Sequence, residues 1–133
     1  MTDSIAFELV SPVKKLMGKP VAMVTMPGSE GDFSVLPGHA PVIATLRPGV
    51  VEVYEATTVT DRIFVAGGFA EVTAERCTVL AQEAVPVKEL SRGAIETDIA
   101  AINSAMQDAA NDAERDALTA RLAVAEAKRD VAA

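Results

Sequence analysis

The 133-residue sequence has few of the residue types from which several common kinds of site are built. It contains no Trp, one Tyr and four Phe, so few rings are available for stacking on nucleic-acid bases. A single cysteine excludes an intramolecular disulfide and a cysteine cluster for zinc. A single histidine excludes histidine-rich metal sites, and a formal net charge of −7 opposes binding to a phosphate backbone. We therefore expect no nucleic-acid partner, no metal and no other cofactor.

Long apolar runs and a basic N-terminus are also missing. No segment approaches the ~18 to 20 apolar residues that a membrane-spanning helix needs. The first residues, Met1-Thr2-Asp3-Ser4, differ from the basic start of a signal peptide and from an Arg-rich transit peptide. Half of the residues are hydrophobic, which favours a packed core over disorder. Because the sequence shows neither a membrane span nor a targeting segment, we expect a soluble protein that works where it is made, in a reducing compartment.

The composition changes near residue 87, and this change predicts two domains. All seven prolines and seven of the eight glycines precede that point, whereas Ala, Asp, Glu and Arg dominate the rest. We place a β-rich domain at residues 1–87 and a helical domain at residues 88–133.

The first domain shows the pattern of an antiparallel β-sandwich or a flattened barrel. Short runs rich in Val, Ile, Phe and Thr recur about every ten residues between turn signals. The predicted strands are Ile5–Val10, Val13–Leu16, Val21–Met26, Asp32–Leu36, Val42–Arg47, Val50–Glu55, Thr57–Val65, Phe69–Thr73 and Cys77–Ala84. The predicted turns are Pro27-Gly28, Pro37-Gly38, Pro48-Gly49 and Gly67-Gly68.

The second domain shows the pattern of two amphipathic helices. Apolar residues spaced three or four apart form one stripe on each predicted helix: Ile95, Ile99, Ile102 and Met106, then Leu118, Leu122 and Ala125. Asp112 is the expected N-cap of the second helix. The short connection between the helices predicts an antiparallel hairpin.

Few residues suggest catalysis. His39 could act as a general base with Asp32, but it also suits a loop position where it satisfies turn backbone groups or contacts a partner. Cys77 lies in a predicted strand, and we interpret it as a small buried side chain. No nucleophile elbow or phosphate-binding loop accompanies these residues. The sequence therefore favours a structural subunit or an interaction module over an enzyme.

One run of residues carries a family resemblance. Gly28-Ser29-Glu30-Gly31-Asp32-Phe33 followed by Leu36-Pro37-Gly38-His39-Ala40-Pro41 resembles the epsilon subunit of bacterial F-type ATP synthase. Arg47-Pro48-Gly49 and the run Val65–Val72 add to the resemblance. The resemblance implies a mainly β protein, with a ten-stranded sandwich followed by a two-helix hairpin. It also implies a non-catalytic central-stalk subunit that couples proton flow through the c-ring to ATP synthesis.

The same resemblance implies partners, contact residues and a location. Glu30, Gly31 and Asp32 match the loop that faces the c-ring. The positions that face the gamma subunit are matched by Ser11, His39, Ala66 and Glu71. The implied location is the cytoplasmic face of the bacterial inner membrane, as a peripheral subunit.

The hairpin departs from one pattern of the family. Some bacterial relatives begin the first helix with an ATP-binding Ile/Leu-Asp-x-x-Arg motif. Leu90 matches its aliphatic position, but Ser91 replaces the Asp and Ala94 replaces the Arg. Residues 88–133 carry six basic and nine acidic residues, a poor match to the acidic head of the complex. We expect neither strong ATP binding nor strong inhibition of hydrolysis, although contact of the hairpin with the alpha and beta subunits remains the alternative, regulatory hypothesis.

Overall fold

The structure, a computed structural model, describes residues 4–132. The described part contains eight strands, a short 3-10 helix and two α-helices. The strands are β1 (Ile5–Val10), β2 (Lys15–Val21), β3 (Met23–Gly28), β4 (Gly31–Val35), β5 (Val42–Thr45), β6 (Gly49–Glu55), β7 (Thr58–Val72) and β8 (Arg76–Pro86). The 3-10 helix is Val87–Glu89, and the α-helices are α1 (Arg92–Gln107) and α2 (Asp112–Val131). Across residues 4–132, no helix is both long enough and apolar enough to span a membrane.

The chain divides into two compact units, with the division between Pro86 and Val87. In the first unit, residues of every strand except β5 contribute to one core, and on several strands they alternate with exposed neighbours. On β1, for example, Ile5, Phe7 and Leu9 are buried while their neighbours are more exposed. The core is mainly aliphatic, with Phe7 among its members, and lies between the two layers of a sandwich, as the alternation in the sequence predicts.

The long strand β7 joins the two layers. Its first half, Thr58–Val65, pairs with β6, while residues 69–72 pair with β5. Strand β8 pairs with β7 in antiparallel orientation from Ile63 to Val72, and β1 pairs with β8 in parallel. The hydrogen-bonded order is β2-β1-β8-β7-β6-β3-β4, with β5 attached to β7.

The prediction of ten strands is wrong, because the described residues form eight. Two predicted strands, Thr57–Val65 and Phe69–Thr73, form the single strand β7. Gly67 and Gly68 lie within it at φ of 68° and 133°, so they bend the strand without ending its pairing with β8. The predicted strand Val13–Leu16 is also misplaced, since β2 begins at Lys15 and continues to Val21.

The second unit is an antiparallel helical hairpin. Ile95, Ile99 and Ile102 of α1 pack with Leu118 and Ala125 of α2, so the predicted stripes face each other. The partly buried Met106 and Leu122 pack against this cluster. Ion pairs of 3.8 Å (Arg121–Asp98) and 3.9 Å (Arg129–Glu96) join the two helices along the stripe.

The N-cap of α2 is Asn111, one residue before the predicted Asp112. The Asn111 side chain accepts a hydrogen bond of 2.8 Å from the backbone N–H of Glu114. The Glu114 carboxylate in turn accepts one of 3.3 Å from the N–H of Ala110. This reciprocal arrangement leaves Asp112 in the first turn, where its charge complements the helix dipole.

Candidate interaction surfaces

The first candidate surface is the tip of the β3–β4 hairpin, which carries the predicted c-ring loop. Gly28 pairs with Gly31, so the turn lies at Ser29 and Glu30 and not at the predicted Pro27-Gly28. Gly31 has a φ of 134°, a conformation that glycine adopts easily. Gly28 leaves no room for a side chain, because an added Cβ would lie 2.6 Å from the Gly31 carbonyl oxygen. The two glycines therefore set the sharp shape of the tip.

The tip is anchored from one side by the chain that follows β5. The guanidinium of Arg47 donates to the Gly28 carbonyl and to the Asp32 carboxylate, each at 2.5 Å. Glu30 is exposed at the turn. A groove of about 500 Å³ lies between the tip and β5, where Ile43 is 71% exposed. The groove thus has carboxylate and apolar groups side by side.

The second candidate surface is the outer face of the layer formed by β5, the end of β7, β8 and β1. The strand register places Thr45, Phe69, Leu80 and Val10 in one row across these four strands. Phe69 and Leu80 are 39% and 38% exposed, which is unusual for large apolar side chains. Glu71 lies in the neighbouring row, between Ile43 and Thr78. We call the surface made by Val10, Ile43, Phe69, Glu71 and Leu80 the outer face.

A cavity of about 380 Å³ opens on the outer face at the end of β1. It is lined by Ser11 and Pro12 together with Phe69, Leu80 and neighbouring residues of β7 and β8. The Ser11 side chain is nearly buried, and its hydroxyl donates to the Lys14 carbonyl at 3.2 Å. That bond, together with the 2.9 Å bond from the Ser11 N–H to the same carbonyl, closes the β1–β2 turn at one side of the cavity.

The four residues predicted to contact gamma do not all share this surface. Ser11 and Glu71 lie on or beside the outer face. Ala66 is buried on β7 opposite Glu83. His39 lies in the loop after β4, which is tied to the turn between β7 and β8 by a hydrogen bond of 2.8 Å from Gly38 N–H to the Ala74 carbonyl.

The structure does not support a catalytic pair of His39 and Asp32. The Nδ1 atom of His39 lies 2.7 Å from the carbonyl oxygen of Ala40, while the Asp32 carboxylate is bound by Arg47. Cys77 is fully buried, and burial raises the pKa of its thiol to about 12, so the thiolate needed for nucleophilic attack is absent near neutral pH.

The residues of the degenerate ATP motif have structural roles in the hairpin. Leu90 packs against the hairpin core. Ser91 is the N-cap of α1, and its hydroxyl accepts a hydrogen bond of 3.3 Å from the N–H of Ala94. Ser91 therefore stabilises the start of the helix.

Two features of these surfaces were not predicted from the sequence. The run Arg47-Pro48-Gly49 was recognised only as a motif, and its contact with the β3–β4 tip depends on residues 15 to 19 positions apart. The exposure of Phe69 and Leu80 was also missed, although strand alternation around the buried Ala70 and Val79 would have indicated it.

The chain resembles proteins of one complex. Residues 4–87 match the family described as the beta-sandwich domain of the ATP synthase delta/epsilon chain. An ATP synthase epsilon chain of Rhodospirillum centenum is 53% identical over 138 residues, covering 100% of this chain and 94% of the relative. An ATP synthase epsilon chain of Paramagnetospirillum magneticum is 48% identical over 127 residues, covering 96% of each.

Solved structures resemble the chain over almost its whole length. A chain in the Euglena gracilis mitochondrial ATP synthase, solved as OSCP, F1 and c-ring, superposes with a TM-score of 0.82 at 26% identity. That match covers 96% of this chain and 80% of the other. A chain in the central stalk and c-ring of the Tetrahymena thermophila mitochondrial ATP synthase has a TM-score of 0.63 at 13% identity, which shows the fold alone.

Proposed function

The chain belongs to the ATP synthase epsilon chain family, and from this premise we propose that its sandwich links the gamma subunit to the c-ring. The chain is a subunit of the ATP synthase other than the catalytic one. Its role in the central stalk is to hold the ring and gamma together, so that proton-driven rotation is transmitted to ATP synthesis elsewhere in the complex. In this proposal the chain performs no chemistry of its own, and it is peripheral to the membrane, on the cytoplasmic side.

The outer face is the surface that we assign to gamma. Its exposed Phe69 and Leu80 supply apolar area, and Glu71 supplies a charge beside them. An apolar centre with a polar margin is the usual composition of a stable protein interface. Ser11 and Pro12 at the cavity offer a recess for a side chain of the partner. Among all features of the sandwich, this apolar row on a rigid sheet carries the proposal.

The tip of the β3–β4 hairpin is the surface that we assign to the c-ring. Glu30 at the turn, with Gly31 and Asp32 at the start of β4, gives the tip an exposed acidic segment, which suits contact with a repeated polar surface. A subunit that transmits torque needs contacts that do not yield, and the tip is held at its base by Arg47. Gamma and the ring would thus contact two adjoining parts of one sandwich, which meet at Ile43 on β5.

The hairpin is proposed to be neither an ATP site nor a strong inhibitor. Ser91 caps α1 and offers no carboxylate to a nucleotide, while Ala94 offers no cation. Arg121 and Arg129 are paired with Asp98 and Glu96 across the hairpin. Pairing within the hairpin lowers the positive charge available to acidic surfaces of the catalytic head.

Reconstitution tests the coupling role. The full chain is added to membranes whose ATP synthase lacks this subunit, and the ratio of ATP-driven proton pumping to ATP hydrolysis is measured. We expect the natural chain to raise this ratio. The double variant Phe69→Ser with Leu80→Ser should leave the ratio low, whereas Val59→Ser should raise it as the natural chain does. Val59 is the matched control, because it is similarly exposed at 36% but lies outside the outer face. Equal coupling by the Phe69/Leu80 variant would refute the assignment of this surface.

A further inference from the structure

Arg47 makes the most concentrated set of contacts to the proposed ring-facing tip. Its two terminal nitrogens reach two points on opposite strands of the hairpin, the carbonyl of Gly28 on β3 and the carboxylate of Asp32 on β4. Its backbone N–H also donates to the Pro27 carbonyl at 2.9 Å. A planar guanidinium with several fixed donors can hold two acceptors at once, which a lysine does less well.

The surrounding chain adds to this clamp. The Ser29 N–H donates to the Thr45 carbonyl at 2.9 Å, and Leu46 forms a bridge with Gly28. Gly49 lies against Pro27, since a Cβ added at Gly49 would be 2.7 Å from the proline ring. The segment 45–49 therefore supports the base of the tip along its whole width.

The two carboxylates of the tip differ in what they contact. The Asp32 carboxylate is bound to Arg47, so its charge is compensated within the chain. Glu30 is exposed at the turn, and the hydrogen bonds and ion pairs of the described residues include none made by its side chain. A carboxylate that has no partner within the chain is available to pair with a cationic group on another subunit.

We infer that Arg47 is a positioning residue which, through Asp32, fixes the tip so that Glu30 alone presents its charge to a basic side chain on the ring. This inference rests on the proposed contact with the c-ring and divides the roles within it. Asp32 acts inside the chain, and Glu30 acts across the interface. The motif Arg47-Pro48-Gly49 thereby gains a function that the sequence did not indicate.

Binding kinetics separate the two roles. Full-length chain in complex with gamma is passed over immobilised c-rings at low and high salt. Salt shortens the Debye length from about 10 Å at 0.1 M to about 3 Å at 1 M, so an exposed interfacial charge loses its effect. We expect Glu30→Gln to slow association and to flatten the salt dependence.

Asp32→Asn and Arg47→Met should act differently from Glu30→Gln. Each should speed dissociation of the complex from the c-ring about two- to fivefold, which is the range expected for the loss of one exposed ion pair. The double variant should be no weaker than either single variant, and it should keep the natural salt dependence because it removes one charge of each sign. Arg62→Met is the matched control, since Arg62 forms a comparable pair at 3.2 Å with Glu52 away from the tip.

A second readout does not depend on the ring. The rates of amide hydrogen exchange at Ser29 and Gly31 should rise in Asp32→Asn and in Arg47→Met. In Glu30→Gln and Arg62→Met these rates should equal those of the natural chain. The inference is overturned if the double variant flattens the salt dependence, if Glu30→Gln leaves it unchanged, or if amide exchange at the tip is unchanged in Arg47→Met. Failure of the natural chain to bind the ring at any salt would instead refute the proposed function and, with it, this inference.

Discussion

Gly68→Ala should disrupt the sandwich more than any other single methyl addition that we consider. Gly68 has a φ of 133°, and an added Cβ would lie 1.9 Å from the Leu80 carbonyl oxygen and 2.9 Å from the Ala81 Cα. Both obstacles are backbone atoms of β8, so relief requires that the β7–β8 pairing shift. The Gly68 carbonyl also accepts a hydrogen bond of 3.1 Å from the Leu46 N–H, which joins β7 to the chain after β5.

The size of the effect follows from two contributions. The backbone conformation alone costs a non-glycine residue about 1–3 kcal/mol. Displacement of a buried strand adds to this, so we expect a loss of at least about 3 kcal/mol in the free energy of unfolding. Since Phe69 is the next residue, the same change should also weaken binding to gamma.

Urea denaturation of the full chain provides the assay. Tyr54 on β6 is the sole tyrosine and no tryptophan is present, so its fluorescence reports the sandwich, while ellipticity at 222 nm is dominated by the hairpin. Gly93→Ala is the control, because an added Cβ there would meet nothing within 4 Å. That change should stabilise the hairpin by up to about 1 kcal/mol. If the free energy of unfolding of the Gly68→Ala sandwich lies within about 1 kcal/mol of the natural value, the reasoning is refuted.

Three further predictions concern the hairpin and the core. Asn111→Ala should cost about 1 kcal/mol of hairpin stability, measured at 222 nm, and more than Asp112→Ala, because Asn111 is the cap. Calorimetry should detect no micromolar ATP binding to the natural chain, and Ser91→Asp with Ala94→Arg should bind more tightly than the natural chain if the missing groups are the reason. Because burial raises the pKa of Cys77 from 9.0 to about 12, the unfolded chain loses this proton first, so sandwich stability should fall as pH rises above 9. By about pH 10.5, the free energy of unfolding of the natural sandwich should fall by about 2 kcal/mol relative to that of Cys77→Ala. If the free energies of unfolding of the two proteins change in parallel with pH, the prediction is contradicted.

The sequence predicted the elements whose signals are local. Alternation on β1 and the three- and four-residue spacing from Ile95 to Ile102 each depend on neighbours within one strand or helix, and the structure buries these residues. Of the four turns predicted from Gly and Pro, Pro37-Gly38 and Pro48-Gly49 fall at boundaries between strands. A periodic apolar pattern is readable because burial of one face stabilises an element wherever its partner lies.

The remaining errors have physical causes of two kinds. Gly67-Gly68 gives the same signal for a turn and for a bend within a continuous strand, and only pairing with β8 distinguishes the two. Asn111 and Asp112 are both good N-caps, and the choice depends on the backbone at Asn111, whose φ and ψ of −156° and 174° are extended. The clamp of Arg47 depends on residues that are distant along the chain, which no local pattern encodes.

Binding to gamma tests the central claim most directly. Isothermal titration compares the full natural chain, Phe69→Asp and the control Val59→Asp against purified gamma subunit. Burying an unpaired charge at the centre of an interface typically costs several kcal/mol, so the account predicts that Phe69→Asp weakens binding by at least about a hundredfold. Val59→Asp should bind as the natural chain does, because Val59 lies outside the outer face. Natural affinity in Phe69→Asp, or equal losses in both variants, would contradict the claim that the outer face docks on gamma.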